Sequence, residues 1–160
     1  MITLLEALQE LQPVAALRAS RWVYPIVNAG HIAGLGLLFG AIAALDLRLL
    51  GLWRRVPVGV LADVLVPVAI TGLVVALITG SMLFSVNAVE YAAMPMFRLK
   101  LSLIMFAIIN ALLLRGVPTW RRHLGCGSTG TTGRLRLAGI VSISLWLSVV
   151  LAGRMLGYLR

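Results

Sequence analysis

Read for polarity alone, the chain is a series of long apolar runs divided by short charged stretches. From Trp22 to Leu45 there are 24 consecutive residues without a formal charge, and from Val64 to Val89 there are 26. At about 1.5 Å per residue either run crosses a hydrocarbon core of about 30 Å as a helix. Leu101 to Leu114 supplies only 14, which is also the length of a re-entrant segment. It is read as spanning, because Lys100 and Arg115 stand at its two ends as long cations that can reach outward, and Phe97 and Leu99 lengthen its apolar stretch. Leu137 to Gly153 supplies 17 and is followed by "MLGYL", with Arg154 near the exit. The expected spans are therefore 22–45, 64–88, 97–115 and 137–158.

The beginning of the chain has a different texture. Met1, Ile2, Leu4, Leu5, Leu8 and Leu11 recur at roughly helical spacing, Glu6, Glu10 and Gln12 fall between them, and Pro13 breaks the pattern. This predicts a short helix over 2–12 lying in the membrane interface. It does not read as a signal peptide, since no basic residue precedes the apolar run and the next charges are acidic. The expected fold is all-α: a four-helix transmembrane bundle with a short N-terminal interfacial helix, in one domain of 160 residues.

Composition agrees with the pattern. Hydrophobic residues make up 61% of the chain and charged residues 12%, and the mean hydropathy is +1.02, well beyond an ordinary soluble domain. The net charge of +9 does not indicate nucleic acid, because the basic residues sit in clusters between apolar runs. They read as topology signals and contacts to lipid head groups. In a four-span arrangement Arg18, Arg21, Arg98, Lys100, Arg154 and Arg160 fall on the side of the termini. Arg48, Arg54, Arg55, Arg115, Arg121, Arg122, Arg134 and Arg136 fall on the other. The stretch from Arg115 to Arg136 is the most basic, so the positive-inside rule places it in the cytoplasm and both termini in the periplasm.

Most motifs have plain structural uses. Gly30 with Gly34, and Gly36 with Gly40, have the GxxxG spacing that lets another helix approach closely, within the bundle or in a homodimer. Thr71, Thr79, Ser142, Ser144 and Ser148 are small polar residues of the kind that pack helices together. The stretch "GCGSTGTTG" at 125–133 lacks the lysine of a phosphate-binding loop. Cys126 is the only cysteine, so no intramolecular disulfide can form, and Cys126 with His123 offers two ligands where structural zinc takes four. No soluble-type catalytic motif is present. Of the five acids, Asp46 and Asp63 fall near Arg48, Arg54 and Arg55, which points to ion pairing.

One polar constellation remains. His31 lies about 13 Å into the first span, with Asn28 three residues earlier on the same face. Lys100 opens the third span from the same side, Arg154 closes the fourth, and Glu90 and Tyr91 lie in the loop between the second and third. Ionisable groups at such depth face the protein interior or a wet cavity and mark function; the alternative is a neutral His31 hydrogen-bonded to Asn28 or to a backbone carbonyl.

The stretches "HIAGLGLLFGAIAALDLRLLGL", "PMFRLKLSLIMFAIINA" and "SLWLSVVLAGRMLGY" together resemble an uncharacterised family of small bacterial four-helix membrane proteins. The layout is more distantly similar to copper resistance D proteins and to b-type cytochrome membrane subunits. The resemblance implies a four-span fold in a bacterial inner membrane and carries no established activity. Three readings of the constellation follow. A haem- or quinone-associated redox subunit would use His31 with Asn28, Lys100 and Arg154. Bis-histidine haem is disfavoured because His123 lies in a loop, so Met105 would be the second axial ligand. A copper-handling protein would gather Met82, Met94 and Met96 near the outer face and pass the metal to His31. An accessory subunit, in a homodimer or larger membrane complex, would need no ligand.

Overall fold

The computed structural model describes residues 2–116, 133–156 and 158. All regular elements among them are helices: α1 (Ile2–Glu10), α2 (Gln12–Ala19), α3 (Val23–Leu50), α4 (Val58–Val86), α5 (Ala88–Ala93), α6 (Pro95–Gly116) and α7 (Gly133–Leu156). Four of them, α3, α4, α6 and α7, are long and apolar enough to cross a membrane. In hydrocarbon no water is available to the backbone, so a span must satisfy its own N–H and C=O groups, and a helix does this within one segment. The third span runs over 20 residues, Pro95–Leu114, or about 30 Å, a full crossing. The outward faces carry leucine, isoleucine and valine, among them Ile32, Val64, Leu113 and Leu151, all exposed. These side chains suit lipid rather than water.

The first two spans form an antiparallel hairpin. α3 continues five residues past Leu45 and carries Asp46 and Arg48 inside the helix, both buried. It can do so because these groups find partners within the fold. Arg48 turns into the turn after α3, where Nε donates to the Val56 carbonyl at 2.6 Å and Nη2 to the Arg54 carbonyl at 3.4 Å. Asp46 turns the other way, toward α7, where the Ser142 hydroxyl hydrogen-bonds its carboxyl group. The ion pairing expected of Asp46 is thus replaced by a serine contact, and Asp63 is exposed on α4. The helix stops at Gly51, whose φ of +113° is left-handed and costs a glycine little.

Where α3 crosses α4 the backbones nearly touch. A Cβ on Gly72 would stand 2.5 Å from the Leu38 nitrogen and 2.7 Å from the Gly34 carbonyl oxygen. One on Gly34 would stand 2.9 Å from the Ala76 nitrogen. The two GxxxG pairs therefore divide: Gly30 and Gly34 face α4, whereas a Cβ on Gly36 or Gly40 would meet nothing within 4 Å. α7 packs on both α3 and α6, so the spans run in the order α4, α3, α7, α6, and α4 and α6 do not pack along one another.

Three apolar cores are stacked along this arrangement. Leu49, Val58, Ala62 and Leu135 pack at the end near the α3–α4 turn. Leu38, Ala107, Trp146 and Val149 fill the middle. Leu17, Val27 and Val86 close the end near the N-terminus.

The N-terminal segment departs from expectation. Pro13 does not end the amphipathic region; it lies in the first turn of a second helix, α2. Proline is tolerated there because its missing N–H would have no intrahelical partner. Val14 and Leu17 are buried, and Arg18 Nη2 donates to the Val86 carbonyl at 2.6 Å, at the end of α4. The segment is thus docked on the bundle rather than merely lying beside it. α5, expected as a loop, carries Glu90 and Tyr91. The Tyr91 and Phe97 rings lie 5.8 Å apart, and Phe84 stacks on Phe97 at 5.2 Å, which joins α4, α5 and α6.

Candidate functional site

His31 sits on the third turn of α3, on the face turned to α4. Its Nδ1 lies 3.1 Å from the Thr79 hydroxyl oxygen. Thr79 in turn donates its own hydroxyl proton to the Val75 carbonyl at 2.6 Å. A hydroxyl has one proton. With that proton committed, Thr79 can only accept from His31, so Nδ1 carries the ring proton and Nε2 keeps its lone pair.

Space for the imidazole comes from Gly80. A Cβ there would stand 2.9 Å from His31 Cε1. Thr79 and Gly80 are thus the residues that hold His31, and sequence reading did not single them out for this role. By sequence Thr79 belongs with the small packing residues, and Gly80 carries no chemistry of its own. The signal was the adjacent pair "TG" at 79–80, one residue giving a hydroxyl and the next giving room.

Lys100, on α6, is half-buried and lies against Gly153 of α7, where a Cβ would meet its Cε and Nζ at 3.5 Å. Of the expected constellation, His31 and Lys100 are the residues turned inward, His31 against α4 and Lys100 against α7. The others are placed elsewhere. Asn28 is exposed and is not the partner of His31. Arg154 is exposed and turns toward the helix end, with Nη2 3.1 Å from the Tyr158 hydroxyl and the guanidinium 4.8 Å from the ring centroid. Met105 faces outward at 58% exposure, on a helix that packs on α7 rather than on α3. It does not face His31 as a second axial ligand would.

The methionines of the copper reading spread over three elements. Met82 is exposed on α4, Met94 follows α5, and Met96 opens α6, the last two half-buried. Among the described residues, no three His, Cys, Asp or Glu side chains converge as metal ligands. His123 and Cys126 lie outside the described residues.

A second polar group of residues lies toward the other end of the bundle. Asp46 is 4% exposed, and its Oδ2 has no hydrogen-bond partner. It borders a cavity of about 190 Å³ together with Asn110, Ser142 and Trp146. The remaining walls are aliphatic, from α3, α4 and α6. Asn110 Nδ2 donates to the Ala138 carbonyl at 3.3 Å. Asp46 and His31 are 15 residues apart on α3, so about 22 Å separates the two groups along the helix.

The chain matches no family model, no curated protein and no solved structure. Fold and composition define the class: this is a multi-pass integral membrane protein, an all-α bundle of four apolar helices.

Proposed function

We propose that this protein is a bacterial inner-membrane protein, with both termini in the periplasm, that binds a quinone head group in the outer half of the bundle. The single observation behind this reading is the hydrogen-bond chain from His31 Nδ1 through the Thr79 hydroxyl to the Val75 carbonyl. Donation from Nδ1 to Thr79 leaves Nε2 as a hydrogen-bond acceptor, while the Lys100 ammonium supplies donors. An acceptor on His31 and donors on Lys100 suit a ligand that has a hydroxyl in its reduced form and a carbonyl in its oxidised form. A quinol O–H can donate to Nε2, and a quinone C=O can accept from Lys100. Haem fits the same residues less well, because Met105 points outward.

The test is solvent extraction of protein purified from its native membrane, with ultraviolet spectra of the extract and an absorption spectrum and metal analysis of the protein itself. The expected result is one quinone per chain, lost in His31→Ala and Lys100→Met and retained in Asn28→Ala and His123→Ala. Full retention in His31→Ala, or wild-type protein without any quinone, rejects the reading. A haem band or stoichiometric copper that disappears with His31 would assign the histidine to that group instead.

A further inference from the structure

We infer that the cavity beside Asp46 is a binding site for a lipophilic ammonium ion, distinct from the site around His31. The carboxyl group is deep inside the bundle, and one of its oxygens accepts nothing. An acid in hydrocarbon surroundings is normally paired, and an unpaired one marks a place where a partner arrives. Arg48 is two residues away in sequence but is drawn into the α3–α4 turn by the Val56 and Arg54 carbonyls. Ser142 donates a hydrogen bond to the carboxyl group but brings no positive charge to it.

The rest of the cavity specifies what kind of cation fits. Its walls include Leu65, Ala69 and Ile70 of α4 and Ile108 and Ala111 of α6, which exclude a hydrated metal ion and accept an apolar body. Trp146 stands four residues from Ser142 on the same face of α7 and borders the same space. An aromatic ring beside a carboxylate is a pairing that attracts an alkylammonium group, through the ring quadrupole and the opposite charge together. A volume of 190 Å³ exceeds the roughly 150 Å³ that accommodates benzene, so an ammonium head with one aromatic or short aliphatic substituent fits. α4 and α6 flank the cavity without packing on each other along their length. A longer tail can therefore leave between them into the lipid, and the ligand can enter by the same route.

The experiment uses the full chain in lipid nanodiscs with benzyltrimethylammonium and its uncharged isostere neopentylbenzene, both followed by equilibrium binding. The expected result is at least tenfold tighter binding of the ammonium by the wild type. In Asp46→Asn, binding of the ammonium should fall at least tenfold while that of neopentylbenzene stays the same. Equal affinity of the two ligands for the wild type, or undiminished ammonium binding by Asp46→Asn, overturns the proposal. Because Asp46→Asn can disturb the bundle, Ala69→Phe provides a second arm: it fills the cavity from α4 and leaves the carboxyl group in place. It should abolish binding of both ligands, and ammonium binding that survives it places the site elsewhere and overturns the assignment. His31→Ala should leave ammonium binding unchanged; loss there would merge the two sites and reject the claim that they are distinct.

Discussion

A polar side chain in hydrocarbon needs a partner, and in three cases the fold supplies it. His31 obtains Thr79, Arg48 obtains two carbonyls of its own turn, and Arg18 obtains the end of α4. The Thr79 contact can be weighed. Interhelical side-chain hydrogen bonds in membranes contribute about 0.6 kcal/mol on average and up to about 1.7. Thr79→Val keeps the shape and removes the acceptor, so it should destabilise the protein by about 1 kcal/mol. Thr79→Ser should be close to neutral, and thermal unfolding in detergent measures both. Equal stability of Thr79→Val and wild type would show that the Thr79 contact contributes nothing to stability.

At the level of elements, the decisive feature is the crossing of α3 and α4. No hydrophobic driving force separates helix from lipid, so close backbone approach through small residues supplies the attraction. Gly34 and Gly72 are the residues that permit it. Gly72→Ala must push the helices apart, because backbone atoms of α3 already occupy the space, and overpacking of this kind costs about 1–3 kcal/mol. Gly36→Ala and Gly40→Ala add a methyl group to an open face and should leave stability unchanged. Unfolding of the three variants in mixed micelles measures the contrast. Destabilisation by Gly36→Ala equal to that by Gly72→Ala would mean that the open face is occupied in the membrane.

For the molecule as a whole, four crossings return the chain to the side from which it started. In the orientation proposed above, the basic stretch 115–136, which contains the only cysteine, faces the cytoplasm. A membrane-impermeant maleimide added to intact spheroplasts should leave Cys126 unmodified, while the same reagent after lysis should modify it. Labelling of intact spheroplasts would invert the orientation and place the His31 group in the cytoplasmic half. The two polar groups lie toward opposite faces, with the apolar core of Leu38, Trp146 and Val149 between them. Each can therefore bind its own partner without direct contact between the sites.

The chain's own pattern determined the four apolar helices, because an uncharged run of sufficient length has few alternatives in hydrocarbon. It also picked out His31 and Lys100, since ionisable residues stand out within such runs. Partners lay beyond its reach. Thr79 is 48 residues from His31 and Ser142 is 96 from Asp46, and the pairings depend on how α4 and α7 rotate about their axes when they pack on α3. Sequence neighbours misled for the same reason: Asn28 and Met105 share a membrane half with His31 but face outward, and Arg48 is adjacent to Asp46 but points into the turn. Depth follows from counting residues along a helix, whereas the direction a side chain faces is set by the close approach of Gly34 to Gly72 and by the apolar surfaces that the neighbouring helices bury.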